Sequence, residues 1–212
     1  NTGERPVLLK GTPLKSVNQY YNKQMAKRRS ICERMNGRHS SKRIARLTVK
    51  RNRKVEDYLH KASRKVIDLC AGQDVSVLVI GKNKGWKQEA NLGRKLNQSF
   101  VQLPFARFIQ MLQYKAESIG MKVVLTEESY TSGTSFLDDE APVKACYDKS
   151  RRVHRGLFLA NDGQRINADV NGAYQIMRKV FPNVNADGIE GVALRPAVVT
   201  LSMSTRRSSG CA

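Results

Sequence analysis

Long apolar stretches are absent from the 212-residue sequence. None reaches the roughly 18 residues that a membrane-spanning helix needs, and the first residues lack the charged-then-apolar pattern of a signal peptide. The four cysteines, Cys32, Cys70, Cys146 and Cys211, form no Cys-x-x-Cys pair. Their spacing therefore predicts neither a zinc ribbon nor a redox dithiol, and we expect a chain that works in a reducing cytoplasm.

Acidic residues are scarce, because 18 Asp and Glu stand against 38 Lys and Arg, giving a formal net charge of +20. The basic excess is uneven: residues 1–70 hold 19 basic and 5 acidic residues, whereas the remainder holds 19 and 13. A balance of this kind indicates a polyanionic partner, most simply nucleic acid.

The apolar pattern predicts an α/β fold. Hydrophobic residues make up 40% and charged residues 26% of the chain, which is ordinary for a folded domain. Two β-branched runs, Val75–Ile80 and Met121–Thr126, are predicted strands. Pro104 opens a helix between them that ends at Gly120, so the three elements predict a parallel βαβ unit.

A final helix follows a polar stretch at residues 129–164. Asn167 or Asp169 opens this helix, and Pro182 stops it. Its apolar stripe is predicted to be Val170, Ala173, Met177 and Val180.

Residues 16–70 are predicted to form a helical hairpin that breaks at Asn36-Gly37, with Ser40 or Ser41 capping the second helix. One face is apolar and the other is basic, and a plain solvated basic face is the alternative to nucleic-acid binding. Tyr20, Tyr21 and Trp86 either stack on bases or pack internally. The candidate phosphate contacts are Lys27, Arg28, Arg29, Arg34, Arg38, Lys42, Arg43, Arg46, Lys50 and Arg51.

Carboxylates occur at three informative places. Glu127 and Glu128 follow the second strand of the βαβ unit, and Asp169 lies at the start of the last helix. Ligands gather at the carboxyl ends of strands in an open parallel sheet, and acids there can hold Mg²⁺ through oxygen. The alternatives are ordinary loop acids for the glutamates and a favourable helix N-terminal charge for Asp169. The Asp138–Glu140 cluster is interpreted as a solvated loop.

Eight motifs follow one another along most of the chain: LKSVNQYYNK (14–23), DYLHKASRKVI (57–67), VIGKNKGWKQEANLG (79–93), NQSF (97–100), FIQMLQYKAESIG (108–120), EESYTS (127–132), RGLF (155–158) and INADVNGAY (166–174). Together they resemble TnpB (OrfB-type) insertion-sequence proteins, relatives of the RuvC nuclease lobe of type V CRISPR effectors. The resemblance implies an RNase H-like (RuvC) mixed sheet with flanking helices and an inserted basic helical hairpin. It also implies a transposon-encoded, RNA-guided and Mg²⁺-dependent DNA endonuclease.

The resemblance implies three catalytic acids: an Asp on the first strand, a Glu after the fourth strand and an Asp at the last helix. Asp169 in NADVNGAY matches the last of these. After VSVLVI, where the family has Glu, this chain has Gly81-Lys82-Asn83, and no Gly-Ile-Asp-Leu-Gly motif supplies the first Asp. We therefore expect an N-terminally truncated member that is inactive or nearly so.

Some relatives place the Glu after the next strand, just before Tyr-Thr-Ser, where this chain has Glu127 and Glu128. Neighbouring parallel strands lie about 4.8 Å apart, so a carboxylate there reaches much of the same space. We expect Glu128, in preference to Glu127, to hold the metal with Asp169. Family members often carry a zinc ribbon, but Cys146 and His154 cannot supply about four ligands, so we predict no zinc.

These inferences divide the chain into a residual core strand (1–15), the basic hairpin (16–70), a RuvC-like core (71–186) with a polar insertion (129–165), and a C-terminal tail (187–212). The expected partners are DNA and a guide RNA, with weak or absent Mg²⁺ binding and no membrane. The expected location is the prokaryotic cytoplasm, in association with the nucleoid. The alternative function is a nuclease-dead nucleic-acid-binding protein, either an RNA-guided repressor or a generic RNA or DNA binder.

Overall fold

The chain is described from a computed structural model, which covers residues 4–83, 104–154, 156–185 and 195–203. These residues form helices α1 (Thr12–Asn36), α2 (Lys42–Ala71), α3 (Phe105–Glu117) and α4 (Ala168–Val180). Their strands pair two by two: β1 (Val7–Leu9) with β6 (Ala197–Val199), β2 (Val77–Gly81) with β3 (Lys122–Thr126), and β4 (Leu157–Leu159) with β5 (Arg165–Asn167). The predicted mixture of helices and sheet is confirmed. None of the helices described combines the length and apolar character needed to cross a membrane.

The chain divides into two compact units. The hairpin unit contains described residues 9–66, 104–112 and 200–203, and the sheet unit contains 4–8, 67–83, 113–154, 156–185 and 195–199. Strand β6 falls within 187–212, so part of the predicted C-terminal tail is ordered as a strand.

The hairpin unit is built on α1 and α2, and the break between them lies where the sequence predicts it. Gly37 adopts a left-handed φ of 64° and donates its N–H to the Glu33 carbonyl at 3.0 Å, which ends α1. Ser41, one of the two predicted caps, accepts a hydrogen bond from the Ile44 N–H at 3.3 Å and starts α2.

Contacts along the hairpin show that α1 and α2 are antiparallel. The Tyr21 hydroxyl lies 3.1 Å from the Thr48 hydroxyl, and Arg51 Nε donates to Asn18 Oδ1 at 2.8 Å. Val55, Leu59 and Ala62 recur at helical spacing along α2 and are buried, together with Tyr58. The core cluster contains Leu14, Val55, Tyr58, Leu59, Ala62 and Met111.

The sheet unit contains the predicted parallel pair of strands. In the β2–β3 register, Val77 lies beside Lys122 and Gly81 lies beside Thr126. The carboxyl ends of both strands therefore meet at one edge, and the chain continues from there into Lys82 and Glu127. The β2 residues are half-buried, although an uninterrupted β-branched run such as Val75–Ile80 predicts a strand covered on both faces.

Helix α4 packs on β2, β3, β4 and β5, but its buried face differs from the predicted stripe. Val170 is buried as predicted, whereas Ala173 is exposed. The remaining buried positions are polar or small: Ala168, Asn171, Gln175 and Arg178. The polar side chains bind backbone atoms of residues 134–140, which explains why they are not in solvent.

Candidate functional site

Glu128 follows β3 and is held by the segment that follows β2. The Lys82 N–H donates to the Thr126 carbonyl at 2.7 Å, which continues the parallel pairing by one bond. The Glu128 N–H donates to Asn83 Oδ1 at 2.9 Å. The Gly81-Lys82-Asn83 segment therefore positions the glutamate that follows the neighbouring strand.

The Glu128 side chain occupies the space beside Gly81. A Cβ atom placed on Gly81 would lie 2.4 Å from Glu128 Cγ and 2.7 Å from its Oε1. Only glycine leaves this space open, so the residue that stands in place of the expected glutamate makes room for Glu128. Burial raises the pKa of the Glu128 carboxyl above its usual range, because the charged form loses solvation. Glu127 is exposed.

Asp169 lies in the first turn of α4, directly after β5. Asn167 is the N-cap, and its Oδ1 accepts hydrogen bonds from the N–H groups of Asp169 at 3.0 Å and Val170 at 3.2 Å. The Asp169 side chain is 66% exposed, and Arg152 Nη2 lies 3.6 Å from its Oδ1. A charged pair with this exposure contributes little to stability, so the carboxylate is open to other partners.

The same face of α4 leads from Asp169 to the Gly81 edge. Ile176 Cδ1 lies 2.7 Å from the position of a Gly81 Cβ, so this side chain and Glu128 both border that edge. Asp169 and Ile176 are seven residues apart, about two helical turns and roughly 10 Å along the axis, so they share one face. A Cβ on Gly172, between them, would meet no atom within 4 Å. The surface of α4 at Gly172 is therefore uncovered.

The described residues contain no group of three or more His, Cys, Asp or Glu that could hold a metal ion. The candidate donors are two carboxylates: Glu128 beside Gly81, and Asp169 in the first turn of α4, about two helical turns from Ile176. Carboxylates are the hard oxygen ligands that Mg²⁺ takes alongside several waters. The predicted absence of zinc stays a prediction. Cys146 is half-buried and has no disulfide partner, and it ends a short 3-10 turn at Lys144–Cys146.

The interpretation of Asp138–Glu140 as a solvated loop is wrong for two of the three acids. Glu140 accepts from Arg151 Nη1 at 2.7 and 2.8 Å and from the Ser135 N–H at 2.8 Å. Asp138 accepts from the Asn161 N–H at 3.0 Å, and its side chain, like that of Glu140, is only 16% exposed. These acids cross-link the polar insertion and are not free for a metal.

The basic face of the hairpin unit is largely as predicted. Arg28 and Arg51 are half-buried, and Arg51 bonds to Asn18 and Asn52, so its guanidinium has internal partners. Burial lowers the pKa of Arg51. Eight candidates are exposed and make no ion pair within the described residues: Lys27, Arg29, Arg34, Arg38, Lys42, Arg43, Arg46 and Lys50.

The three undecided aromatic residues have different outcomes. Tyr21 packs within the hairpin, through its contact with Thr48 and with the Arg51 guanidinium at 5.8 Å from the ring centre. Tyr20 is 64% exposed. Trp86 lies outside the described residues.

Sequence reasoning missed Asn83, Asn167 and Arg152 as neighbours of the candidate acids. Asn167 was one of two predicted helix starts, so its capping role was within reach of the pattern. Asn83 and Arg152 carry no spacing signal, because each contacts a residue that is distant along the chain.

Two family models match the chain. The OrfB_IS605 family, described as probable transposase, matches residues 1–87, and the Cas12f1-like TNB domain matches residues 105–176. A curated relative, the CRISPR-associated endodeoxyribonuclease Cas12f2 of Micrarchaeota archaeon (strain CG1_02_47_40), is 24% identical over 189 residues. That alignment covers 85% of this chain and 33% of the relative, so the chain spans about a third of that protein.

The fold has a solved counterpart in the cryo-EM structure of the Cas12f1-sgRNA-target DNA complex. The TM-score is 0.51 at 20% identity, over 74% of this chain and 40% of the other. Together with the motifs of the sequence, the family models and the curated relative support a TnpB-like protein related to the type V effectors.

Proposed function

We propose that this chain is the RuvC-like nuclease region of a TnpB-type, RNA-guided DNA endonuclease. The observation that carries this proposal is the contact of Glu128 with Gly81 at the edge shared by β2 and β3. It supports the view that a relocated glutamate replaces the one expected after β2. The proposal includes an RNase H-like topology for the sheet unit and DNA as the substrate of the nuclease.

Glu128 and Asp169 would hold the metal. When bound, Mg²⁺ would supply charge neutralisation at the phosphodiester and activation of the attacking water. The chain's own residues prepare this site, because Gly81 and Asn83 fix the position of Glu128, and Asn167 fixes the helix turn that presents Asp169. Arg152 balances the charge of Asp169 and is exposed, so it is free to move to a phosphate.

The helices α1 and α2 would bind the nucleic-acid backbone. Between residues 12 and 54 the chain has 14 Lys and Arg and a single acid, Glu33. Cations that lack a carboxylate partner bind phosphates by releasing counterions, which gives affinity without sequence preference. A guide RNA and target DNA are the proposed partners, in the cytoplasm at the nucleoid.

A nuclease-dead nucleic-acid-binding protein is the second candidate. It is favoured by the lack, among the described residues, of any group of three or more His, Cys, Asp or Glu that could hold a metal ion. Loss of one carboxylate from a two-metal site removes much of its transition-state stabilisation. We therefore expect the 212-residue chain alone to bind nucleic acid without cutting it.

The test is a binding and cleavage assay on the purified chain with single- and double-stranded DNA and with RNA. We expect salt-sensitive binding to each and no cleavage with Mg²⁺ or Mn²⁺. Robust cleavage that Asp169→Ala abolishes would contradict the expected inactivity. Absence of binding at low salt would contradict the nucleic-acid function itself.

A further inference from the structure

Tyr130, two residues after the candidate metal ligand Glu128, contacts a second exposed tyrosine, Tyr147. Tyr130 and Tyr147 contact each other edge to face, with ring centres 5.9 Å apart and planes at 73°. Tyr130 is 39% exposed and Tyr147 is 38% exposed. Two large rings that support each other while both remain in solvent form a rigid surface, unlike scattered single exposed side chains, which need no explanation.

The backbone holds Tyr130 at the corner of a tight turn that starts at Glu128. Thr131 donates to the Glu128 carbonyl through its hydroxyl at 2.8 Å and its N–H at 3.3 Å. Tyr130 has a left-handed φ of 64°, a conformation that side chains other than glycine and asparagine rarely adopt. An aromatic residue in this conformation is a strained choice, and strain of this kind clusters at ligand-binding sites.

The second ring depends on a glycine. A Cβ atom on Gly133 would lie 2.5 Å from the Tyr147 ring, so the ring packs flat against the Gly133 backbone. The Asp148 N–H donates to the Gly133 carbonyl at 2.9 Å, so the residue after Tyr147 is hydrogen-bonded to the same glycine. Tyr147 is therefore held by its neighbours without being buried.

The charges around Tyr147 suit a polyanion. Lys144 and Lys149 are exposed on the short turns that flank it, and neither makes an ion pair within the described residues. The nearby Asp148 carboxylate is engaged by Ser150, through its N–H at 2.8 Å and its hydroxyl at 2.7 Å. Exposed aromatic rings between cations are the arrangement that binds single strands, with bases stacked on rings and phosphates on lysines.

We propose that Tyr130 and Tyr147 form a stacking platform for an unpaired nucleobase of single-stranded DNA. The proposal rests on the proposed nuclease function, because the turn that begins at Glu128 places Tyr130 two residues from that carboxylate. A base on the platform would hold the adjoining phosphodiester close to the Glu128 edge. The choice of DNA over RNA follows from the proposed substrate.

The experiment uses the 212-residue chain and a single-stranded DNA that contains one 2-aminopurine, whose fluorescence falls when it stacks on an aromatic ring. We expect quenching with the native chain and with Tyr147→Phe, and its loss with Tyr147→Leu. Affinity should fall about tenfold in Tyr147→Leu. The slope of affinity against salt should stay unchanged, because no charge is removed. Tyr114→Leu, which replaces an exposed tyrosine of α3, is the matched control and should quench like the native chain.

Several results would overturn the platform while leaving the proposed function intact. The first is tight binding of the single-stranded DNA without a fall in its 2-aminopurine fluorescence. The second is an equal fall with Tyr147→Leu, and the third is a fall that occurs only when the 2-aminopurine is in an RNA oligonucleotide. A second measurement on the native chain avoids any folding defect of the variant, namely photo-crosslinking to a 5-iodouracil-substituted single-stranded DNA. Crosslinks at Tyr130 or Tyr147 support the platform, and crosslinks confined to other residues reject it. A chain that binds no nucleic acid at all would refute the proposed function.

Discussion

Glu128 is the residue on which the candidate site depends, and the sequence favours it over its neighbour Glu127. Glu127 and Glu128 both follow β3, and spacing does not tell which of them turns inward. The structure distinguishes them, because Glu127 is exposed while Glu128 contacts the open side of Gly81. Gly81 can be read from the sequence. That it leaves room for the Glu128 side chain becomes clear only from the register of β2 and β3.

The raised pKa of Glu128 predicts how this residue affects stability. A carboxyl whose folded pKa lies above its unfolded value favours folding in its protonated form, and that contribution is lost as pH rises through the folded pKa. Glu128→Gln should therefore be slightly more stable than the native chain at pH 7, by about 1–2 °C in Tm. The difference should disappear as pH falls below the ordinary range of a glutamate.

The measurement is a set of thermal melts between pH 3 and pH 8, with Glu127→Gln as the matched control. That variant should show no such pH-dependent difference, because its side chain is exposed. A native chain that is more stable than Glu128→Gln at pH 7 in the absence of metal would show that this carboxylate is favourably paired, contrary to its burial.

At the scale of elements, α4 shows why a helical pattern can mislead. Asn171, Gln175 and Arg178 recur at helical spacing, and polar residues in that pattern predict a solvent-facing stripe. They are buried instead, because they bind the backbone of the polar insertion. Asn171 accepts from the Phe136 N–H at 2.9 Å and donates to the Thr134 carbonyl at 2.8 Å. Periodicity shows which face of a helix is apolar. It does not show which polar side chains will be buried because they hydrogen-bond to backbone atoms.

Replacing Asn171 should therefore destabilise the sheet unit strongly. Asn171→Leu leaves one buried N–H and one buried carbonyl without partners, and each costs about 1–3 kcal/mol. We expect a loss of about 2–6 kcal/mol in the free energy of unfolding, measured by urea titration. Arg165→Leu, an exposed change on the preceding strand, should cost much less. Equal effects of the two variants would show that the insertion does not depend on α4.

The exposed cations of α2 should dominate the salt dependence of nucleic-acid binding. If about five phosphates are contacted, log K should fall against log salt with a slope near −4 to −5. Arg43→Ala with Arg46→Ala should flatten that slope by about 2. The matched control is Lys61→Ala with Arg107→Ala, whose cations already pair with Asp57 and Glu56 at 2.8 and 3.1 Å. It should leave the slope nearly unchanged, and equal slopes for both pairs would indicate only a solvated basic face.

At the scale of the whole molecule, the long elements and the short strand β1 could be predicted from the sequence, whereas the other short strands could not. The hairpin break at Asn36-Gly37, the βαβ pair and the start of α4 all lie where periodicity and caps predict them. The β4–β5 hairpin and β6 have three residues per strand, too few for an alternating pattern to register. The sequence predicts the strand end and the helix start at which the candidate acids lie. It does not predict the contacts that support them, because those contacts join residues that are distant along the chain.

The most direct measurement of the central claim restores a third carboxylate to the Glu128 and Asp169 pair. The chain would be joined to the first strands of a TnpB-type relative, which carry the family's first Asp, and assayed for Mg²⁺-dependent DNA cleavage with that relative's guide RNA. We predict that cleavage appears, that Glu128→Gln and Asp169→Asn each reduce it by at least about 100-fold, and that Glu127→Gln leaves it unchanged. Gly81→Ala should also lower it, by displacing the Glu128 side chain. Cleavage that survives Glu128→Gln, or that fails with Glu127→Gln instead, would contradict the account.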